Sequence, residues 1–286
     1  MFLVWGIYNL FENGLLRVLL STFQPNENIT ALWIGLAFAF CIIASYLLGS
    51  VNCALVISRL FYHDDIRDHG SGNAGTTNIL RSYGKKAAIL TFLGDGLKGI
   101  LSILIACLIF GHPTSEYYYI YLVTACYLSA FFCIFGHVFP CFSRFRGGKG
   151  FATMAVSILC LNPFIGLILA VIFFPLVLMT RYVSLGSVVT ALFYPILLSS
   201  FDSITVHYGI SSLIAILIAA LVTWAHRGNL KRIFDRTERK LSFGHKEPVT
   251  SAAEGTVDAT PEGTASEPKK KQPMSRKKQK RLKKRK

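Results

Sequence analysis

One polar stretch of the chain, residues 69–81, has the residue types and spacing of a phosphate-binding loop. Three glycines within six positions let the backbone turn tightly and bring several N–H groups close to a bound group. Convergent N–H groups, hydroxyls and a guanidinium are the groups that bind a phosphate oxyanion. The stretch therefore predicts a phosphate site formed by Gly70, Ser71, Gly72, Asn73, Gly75, Thr77, Asn78 and Arg81.

Two nucleotide-binding motifs match this stretch by letter, but neither has the context that it requires. The dinucleotide pattern Gly70-x-Gly72-x-x-Gly75 needs a buried strand before it, whereas the charged residues 64–68 precede it here. A P-loop needs Lys-Ser/Thr after its second glycine, where this chain has Thr76-Thr77. The stretch is therefore not predicted to bind a nucleotide.

A second glycine-rich basic loop, residues 144–150, precedes an apolar segment that begins at Phe151. Backbone N–H groups at the start of a helix, together with one lysine, form an anion site. The positive charge that is usual in cytoplasmic loops explains the two arginines of this loop, but not three glycines around one lysine. The loop therefore predicts a second anion site formed by Gly147, Gly148, Lys149 and Gly150.

Further polar residues lie inside or at the end of apolar segments. His226 ends the last such segment, and Asn229 follows three residues later on the same helical face. Asp95 and Lys98 lie within an apolar segment, where charge is costly unless it faces partners or water. Their spacing of three puts both on one face, where they either pair structurally or take part in catalysis.

The composition is that of an integral membrane protein with polar ends. Of 286 residues, 52% are hydrophobic and 16% are charged, and the mean hydropathy is +0.48. A membrane-spanning helix needs ~20 apolar residues. Apolar segments occur at 31–48, 87–110, 117–139, 151–161, 164–179, 187–201 and 211–225. Counted once each, they predict an all-α membrane protein with about seven transmembrane helices.

The distribution of lysine and arginine predicts the orientation of these helices. Basic residues occupy the loops at 63–86, 140–150 and 180–186 and the chain after 224. The intervening loops at 111–116, 162–163 and 202–210 contain none. The prediction is an N-terminus outside the cell, a C-terminus in the cytoplasm, and three functional loops on the cytoplasmic face.

Both ends of the chain fall outside this predicted membrane domain, which covers residues 31–243. Residues 1–30 predict an interfacial helix or an additional hydrophobic one. Residues 244–286 contain few large apolar side chains and end in a cluster of lysine and arginine, which predicts a disordered cytoplasmic tail. Such a tail can bind anionic lipid headgroups, and RNA or ribosome binding is the competing use of its charge.

Three motifs occur in a fixed order along the chain. They are Gly70-Ser71-Gly72-Asn73-x-Gly75-x-Thr77-Asn78-x-x-Arg81, then Gly136-His137-x-Phe139-Pro140 with Gly147-Gly148-Lys149-Gly150, then His226-x-x-Asn229 with Glu238. Together they resemble the bacterial acyl-phosphate-dependent glycerol-3-phosphate acyltransferases, a family of polytopic membrane enzymes. Ala74 and Asn52 stand where the family usually has proline, and Thr76 where it has alanine.

This resemblance implies transfer of a fatty acyl group from acyl phosphate to the 1-hydroxyl of glycerol 3-phosphate. The products would be lysophosphatidic acid and phosphate, in the first step of phospholipid biosynthesis at the bacterial inner membrane. The implied catalytic residues are Ser71, Arg81, Lys149, His226 and Asn229; Ser184 lines the phosphate pocket, and Glu238 is structural. Asp95 and Lys98 lie outside the three motifs, and we predict a structural role for them.

The acceptor of the hydroxyl proton stays open between His226 and an oxygen of the substrate phosphate. No acidic partner for His226 is apparent in the sequence, which favours the substrate. No metal-ligand cluster is apparent either, and no cofactor is predicted.

Two other protein classes share parts of this pattern. A transporter or scramblase of phosphorylated small molecules or lipids would also gather arginine, lysine and glycine loops. Transporters usually place the site near the membrane midplane, often between internal repeats, and no repeat is seen here. Another acyltransferase family uses His-x-x-x-x-Asp, which His63 and Asp68 match by letter, but the α/β domain of that family is missing.

Overall fold

The computed structural model describes residues 14–24, 26–111, 116–205 and 209–241, and these residues form helices joined by loops, with no strand. Short 3-10 helices lie at Ile66–Asp68 and Cys141–Ser143. The α-helices are α1 (Leu15–Phe23), α2 (Glu27–Ser50), α3 (Cys53–Tyr62), α4 (Thr76–Tyr83), α5 (Lys85–Phe110), α6 (Glu116–Val138), α7 (Phe151–Leu161), α8 (Pro163–Thr180), α9 (Val183–Thr205), α10 (Gly209–Ala225) and α11 (Arg227–Phe234).

The described helices confirm the predicted apolar segments, but they leave the number of crossings open. Five stretches are long and apolar enough to cross a membrane, and the bent pair α10–α11 makes a sixth if it counts as one span. Helix α7 has 11 residues, roughly 16 Å at 1.5 Å per residue, against a hydrocarbon core of ~30 Å. The count of seven therefore stays a prediction, because α7 is too short to cross alone.

Helix α6 lies at the centre of the bundle and packs against α2, α5, α7 and α10. Its closest approach is to α2, where the two backbones touch. A Cβ atom on Gly49 would collide with the Cys133 carbonyl, and one on Gly136 with the Tyr46 carbonyl. Small residues permit this close packing between helices in a membrane. Gly49 of α2 and Gly136 of α6 thus allow the last turn of α6, and the loop that follows, to pack against the end of α2.

The predicted functional loops at 63–86 and 140–150 lie at the same end of the bundle, because α5 and α6 run in opposite directions between them. A small apolar cluster, separate from the main core, fixes the first loop to α3 and α5. Its buried residues are Ala54, Leu55, Ile57, Ile66, Ala74, Ile79, Ala87 and Ala88. The first loop is therefore packed against the bundle through these buried side chains.

The two predicted terminal regions are described only in part. Helix α1 lies in the region predicted to be interfacial, and it packs on α5 with Leu16 buried and Phe23 exposed. Residues 1–13 and 242–286 lie outside the described residues, and the second range includes the whole predicted tail. The interfacial helix and the disordered tail therefore stay predictions.

The orientation can be tested by cysteine labelling in a background whose seven native cysteines are replaced by serine. We expect Ser82→Cys and Ser143→Cys to react with a membrane-impermeant reagent only after permeabilisation, because both lie in the basic loops. Glu27→Cys, at the start of the first span, should react in intact cells. Labelling of Ser82→Cys in intact cells would contradict the predicted orientation.

Candidate active site

The glycine-rich loop is folded around the side chain of Asn78. Its Nδ2 donates to three backbone carbonyls, those of Ile66 at 3.1 Å, His69 at 3.0 Å and Asn73 at 3.0 Å. Its Oδ1 accepts from the Ser71 N–H at 2.9 Å. Gly70 has a φ of 57°, and a Cβ atom there would collide with Asn78 Oδ1. Asn78 was predicted to contact the substrate, but its amide is occupied in shaping the loop.

A bond from the break between α2 and α3 holds the other side of this loop. Asn52 Nδ2 donates to the Ala74 carbonyl at 3.2 Å, while Asn52 Oδ1 accepts from the Leu55 N–H and caps α3. Asn52 and Ala74 are two of the positions at which the chain departs from the family pattern, and here they bind each other. Gly75 then precedes α4. The hydroxyls of Ser71 and Thr77 make no hydrogen bond within the described residues, so both are available to a ligand.

The second glycine loop passes directly over His137 of α6. The Gly148 N–H donates to the His137 carbonyl at 3.1 Å. A Cβ atom on Gly148 would collide with His137 Nε2, and one on Gly147 with the His137 carbonyl. Gly150, with a φ of 78°, begins α7. Glycine is therefore required at positions 147 and 148, because the loop backbone approaches His137 closely. Lys149, within this loop, is half-buried.

Four side chains from α9, α11 and the segment after α11 form a hydrogen-bonded group that we call the polar cluster: Ser184, Asn229, Arg232 and Glu238. Asn229 Nδ2 donates to Ser184 Oγ at 2.8 Å and to Glu238 Oε1 at 2.6 Å. Ser184 Oγ and Arg232 Nε also donate to this carboxylate, at 2.9 and 2.7 Å. Burial raises the pKa of Glu238, but the three donors outweigh it, so the pKa lies below its usual value.

Arg81 and Lys149 bring the first two loops to the polar cluster. Arg81 donates from its guanidinium to the Arg239 carbonyl at 2.9 Å. Burial lowers the pKa of Lys149 to about 8; the Glu238 carboxylate opposes the shift, and the charges of Arg232 and Arg81 add to it. The Lys149 ammonium makes no hydrogen bond or ion pair with any described residue. It is a positive charge held half-buried without a bonded partner.

His226 lies at the break between α10 and α11 and is 3% exposed. Its Nδ1 is 2.8 Å from the Val222 carbonyl, which can only accept, so Nδ1 carries the proton and Nε2 is left as an acceptor. No carboxylate in the described part of the chain bonds to His226.

Asp95 and Lys98 lie in a separate buried network. Lys98 Nζ is 3.0 Å from Asp95 Oδ1 and 2.7 Å from His137 Nδ1. It also donates to the carbonyls of Gly49 and Val51, at 3.1 and 3.0 Å, where α2 ends. These bonds join α5, which carries the pair, to the end of α2 and to α6. The structural role of the pair stays a prediction. Through His137 the network also supports the second glycine loop.

Three residues of the site were not singled out from the sequence: Asn52, His137 and Arg232. Asn52 and His137 act on partners 22 and 39 positions away in the chain, which no local pattern reveals. His137 does stand in the second motif, beside Gly136, and its position at the end of an apolar segment could have marked it. Arg232 lies six positions before its partner Glu238 in a run of basic residues.

Comparison with known proteins places the chain in one family. The family model described as glycerol-3-phosphate acyltransferase matches residues 39–236. The glycerol-3-phosphate acyltransferase of Bacillus cytotoxicus is 43% identical over 209 residues, covering 72% of this chain and 96% of the relative. That of Clostridioides difficile is 40% identical over 209 residues, covering 71% and 96%.

Solved structures agree with the sequence relatives. The crystal structure of PlsY (YgiH), an integral membrane glycerol 3-phosphate acyltransferase, in its glycerol 3-phosphate form has a TM-score of 0.62 and 30% identity, covering 72% of this chain and 96% of that one. The apolar helices and this relative identify a multi-pass membrane protein. The matched region contains Arg81, Lys149 and His226. The chain belongs to the glycerol-3-phosphate acyltransferase family.

Proposed function

We propose that this chain transfers a fatty acyl group from acyl phosphate to the 1-hydroxyl of glycerol 3-phosphate, giving lysophosphatidic acid and inorganic phosphate. The observation that carries the proposal is the convergence of Arg81, Lys149 and His226, from three separate segments of the chain, on the polar cluster, where all three interact electrostatically with Glu238. The relatives are named for glycerol 3-phosphate, which supports it as the acceptor. No observation favours the alternative of a transporter or scramblase.

The phosphate of glycerol 3-phosphate would bind Lys149 and Arg81. Lys149 offers an ammonium group without a bonded partner, and Arg81 has donors left after its bond to the Arg239 carbonyl. Charge-assisted hydrogen bonds of this kind are stronger than neutral ones. Ser184 and Asn229, which Glu238 already holds in place, would orient the glycerol hydroxyls.

The phosphate of the donor would bind the glycine-rich loop of residues 70–75. Its free N–H groups and the Ser71 and Thr77 hydroxyls can stabilise the charge that develops as phosphate leaves. In the reaction, the glycerol oxygen bonds to the acyl carbon and the bond from that carbon to the phosphate oxygen breaks. The hydroxyl proton passes to the leaving phosphate. We prefer this acceptor to His226, because no carboxylate among the described residues bonds to its ring to stabilise the charged form.

The pKa of Lys149 predicts how acceptor binding depends on pH. A lysine with its pKa lowered to about 8 keeps its charge below that pH and loses it above. We therefore expect kcat/KM for glycerol 3-phosphate, which reports on the free enzyme, to fall as pH rises through about 8. The measurement is initial rates across this pH range.

The matched variant is Lys149→Arg, because a guanidinium stays charged throughout this range. Its kcat/KM should be lower but should not show the alkaline fall. An identical pH profile in the wild type and Lys149→Arg would contradict the assignment to Lys149.

The donor is tested directly by mass spectrometry of the lipid product. Purified protein in detergent is given glycerol 3-phosphate with acyl phosphate, acyl-CoA or acyl carrier protein carrying the same fatty acid. We expect lysophosphatidic acid from acyl phosphate alone. Formation at similar rates from a thioester donor would contradict the acyl phosphate assignment while leaving glycerol 3-phosphate as the acceptor.

A further inference from the structure

A polar concavity of about 750 Å³ lies beside the two glycine loops, at the end of the bundle where α3 and α6 end. Its charged lining residues are Arg59, Arg67, Arg144, Arg146, Asp65 and Asp68. We call it the basic pocket. No residue of the polar cluster lines it, and neither Arg81, Lys149 nor His226 does. Gly72 and Gly147 of the two glycine loops also line it. The pocket is therefore distinct from the proposed acceptor site and borders the loop proposed for the donor phosphate.

The charges of the basic pocket are only partly balanced. Arg59 and Arg67 both pair with Asp65, at 3.2 and 2.6 Å. Arg144 and Arg146 make no ion pair or side-chain hydrogen bond with any described residue. Four arginines against two aspartates leave a net charge of +2 in the lining. Two guanidinium groups thus face a concavity with all of their donors unused.

The loop that carries these two arginines has an unusual backbone and an apolar edge. Arg144 and Phe145 have backbone φ values of 56° and 57°. Two consecutive residues other than glycine therefore adopt the left-handed region that glycine favours. The Phe145 ring is 62% exposed, and Phe142, which lines the pocket, is 65% exposed. Residues 142–146 therefore carry two exposed aromatic rings and two arginines.

We propose that the basic pocket binds the phosphate headgroup of an anionic lipid, whose acyl chains lie against Phe142 and Phe145. The pocket is at the ends of two membrane spans, Glu27–Tyr62 and Tyr118–Ser143, where lipid headgroups are within reach. Arginine suits phosphate because its planar fork offers paired donors. The lipid is either a phospholipid of the bilayer or a lipid of the proposed reaction, which share this headgroup chemistry. Only the second source rests on the proposed function.

The test is equilibrium lipid binding, measured by native mass spectrometry on the full chain in detergent without substrates. The probes are phosphatidylglycerol, lysophosphatidic acid and, as a zwitterionic reference, phosphatidylcholine. The variant is R144Q/R146Q. The control, K85Q/K86Q, removes the same charge from exposed lysines at the start of α5, on the same side of the bundle. Unfolding temperatures in detergent establish that each variant is folded.

We expect R144Q/R146Q to bind at least one anionic probe about a hundredfold more weakly than the wild type, and K85Q/K86Q to bind it as the wild type does. A loss for phosphatidylglycerol identifies bilayer lipid as the ligand, and a loss for lysophosphatidic acid alone identifies the lipids of the reaction. If the double variant is unstable, R146Q alone gives the same test. Unchanged affinity for both anionic probes, or an equal loss in K85Q/K86Q, would overturn the proposal.

Discussion

Replacing Lys149 with alanine is expected to raise KM for glycerol 3-phosphate by ten- to more than a hundredfold, or to abolish turnover. The lost contact is a hydrogen bond between an ammonium and a phosphate, worth ~1.5–3 kcal/mol. The same loss is expected for Arg81→Ala. Both side chains are half-buried and Lys149 has no bonded partner in the described structure, so Lys149→Ala should leave the fold intact.

The matched control is Lys86→Ala, which removes an exposed lysine at the start of α5. Its KM should equal that of the wild type. The measurement is initial rates at varied glycerol 3-phosphate, with size-exclusion profiles to compare folding. Wild-type kinetics in both Lys149→Ala and Arg81→Ala would remove the proposed acceptor site.

Replacing Lys98 with methionine is expected to destabilise the protein more than any change in the loops. It leaves Asp95 buried without its cationic partner and removes the donor to the Gly49 and Val51 carbonyls. Breaking a buried ion pair from one side costs ~3–5 kcal/mol. The measurement is thermal unfolding of the purified protein in detergent.

The double variant Asp95→Asn with Lys98→Met separates the charge effect from loss of packing. It has no buried uncompensated charge, so it should recover part of the stability that Lys98→Met loses. Equal unfolding temperatures for the wild type and Lys98→Met would show that the buried network does not hold α2 against α6.

Much of this architecture follows from local sequence. Apolar length gives the helices, since the predicted segment at 87–110 is α5 and that at 211–225 lies within α10. The residue types of the candidate site also follow from sequence. Arg81 and Lys149 each stand in a glycine-rich basic stretch, and binding of an anion explains both the glycines and the positive charge. Periodicity and composition carry this information without knowledge of tertiary contacts.

What sequence could not provide is which polar group faces a ligand and which faces the protein. Asn78 has the chemistry of a phosphate ligand, yet three backbone carbonyls surround its amide. The sequence indicated a local pair between Lys98 and Asp95, but Lys98 also donates hydrogen bonds to carbonyls 49 and 47 positions earlier in the chain. These contacts depend on how α2, α5 and α6 pack together.

In the proposed reaction, one site couples the release of phosphate to acylation of glycerol 3-phosphate. The most direct measurement follows inorganic phosphate and lysophosphatidic acid together, using purified wild-type protein in detergent with acyl phosphate. We predict that both products appear in equal amounts and only when glycerol 3-phosphate is present, and that Lys149→Ala at the same substrate concentration forms both much more slowly or not at all. The proposed reaction would be contradicted if phosphate were released as fast without glycerol 3-phosphate as with it. It would also be contradicted if folded wild-type protein formed no lysophosphatidic acid.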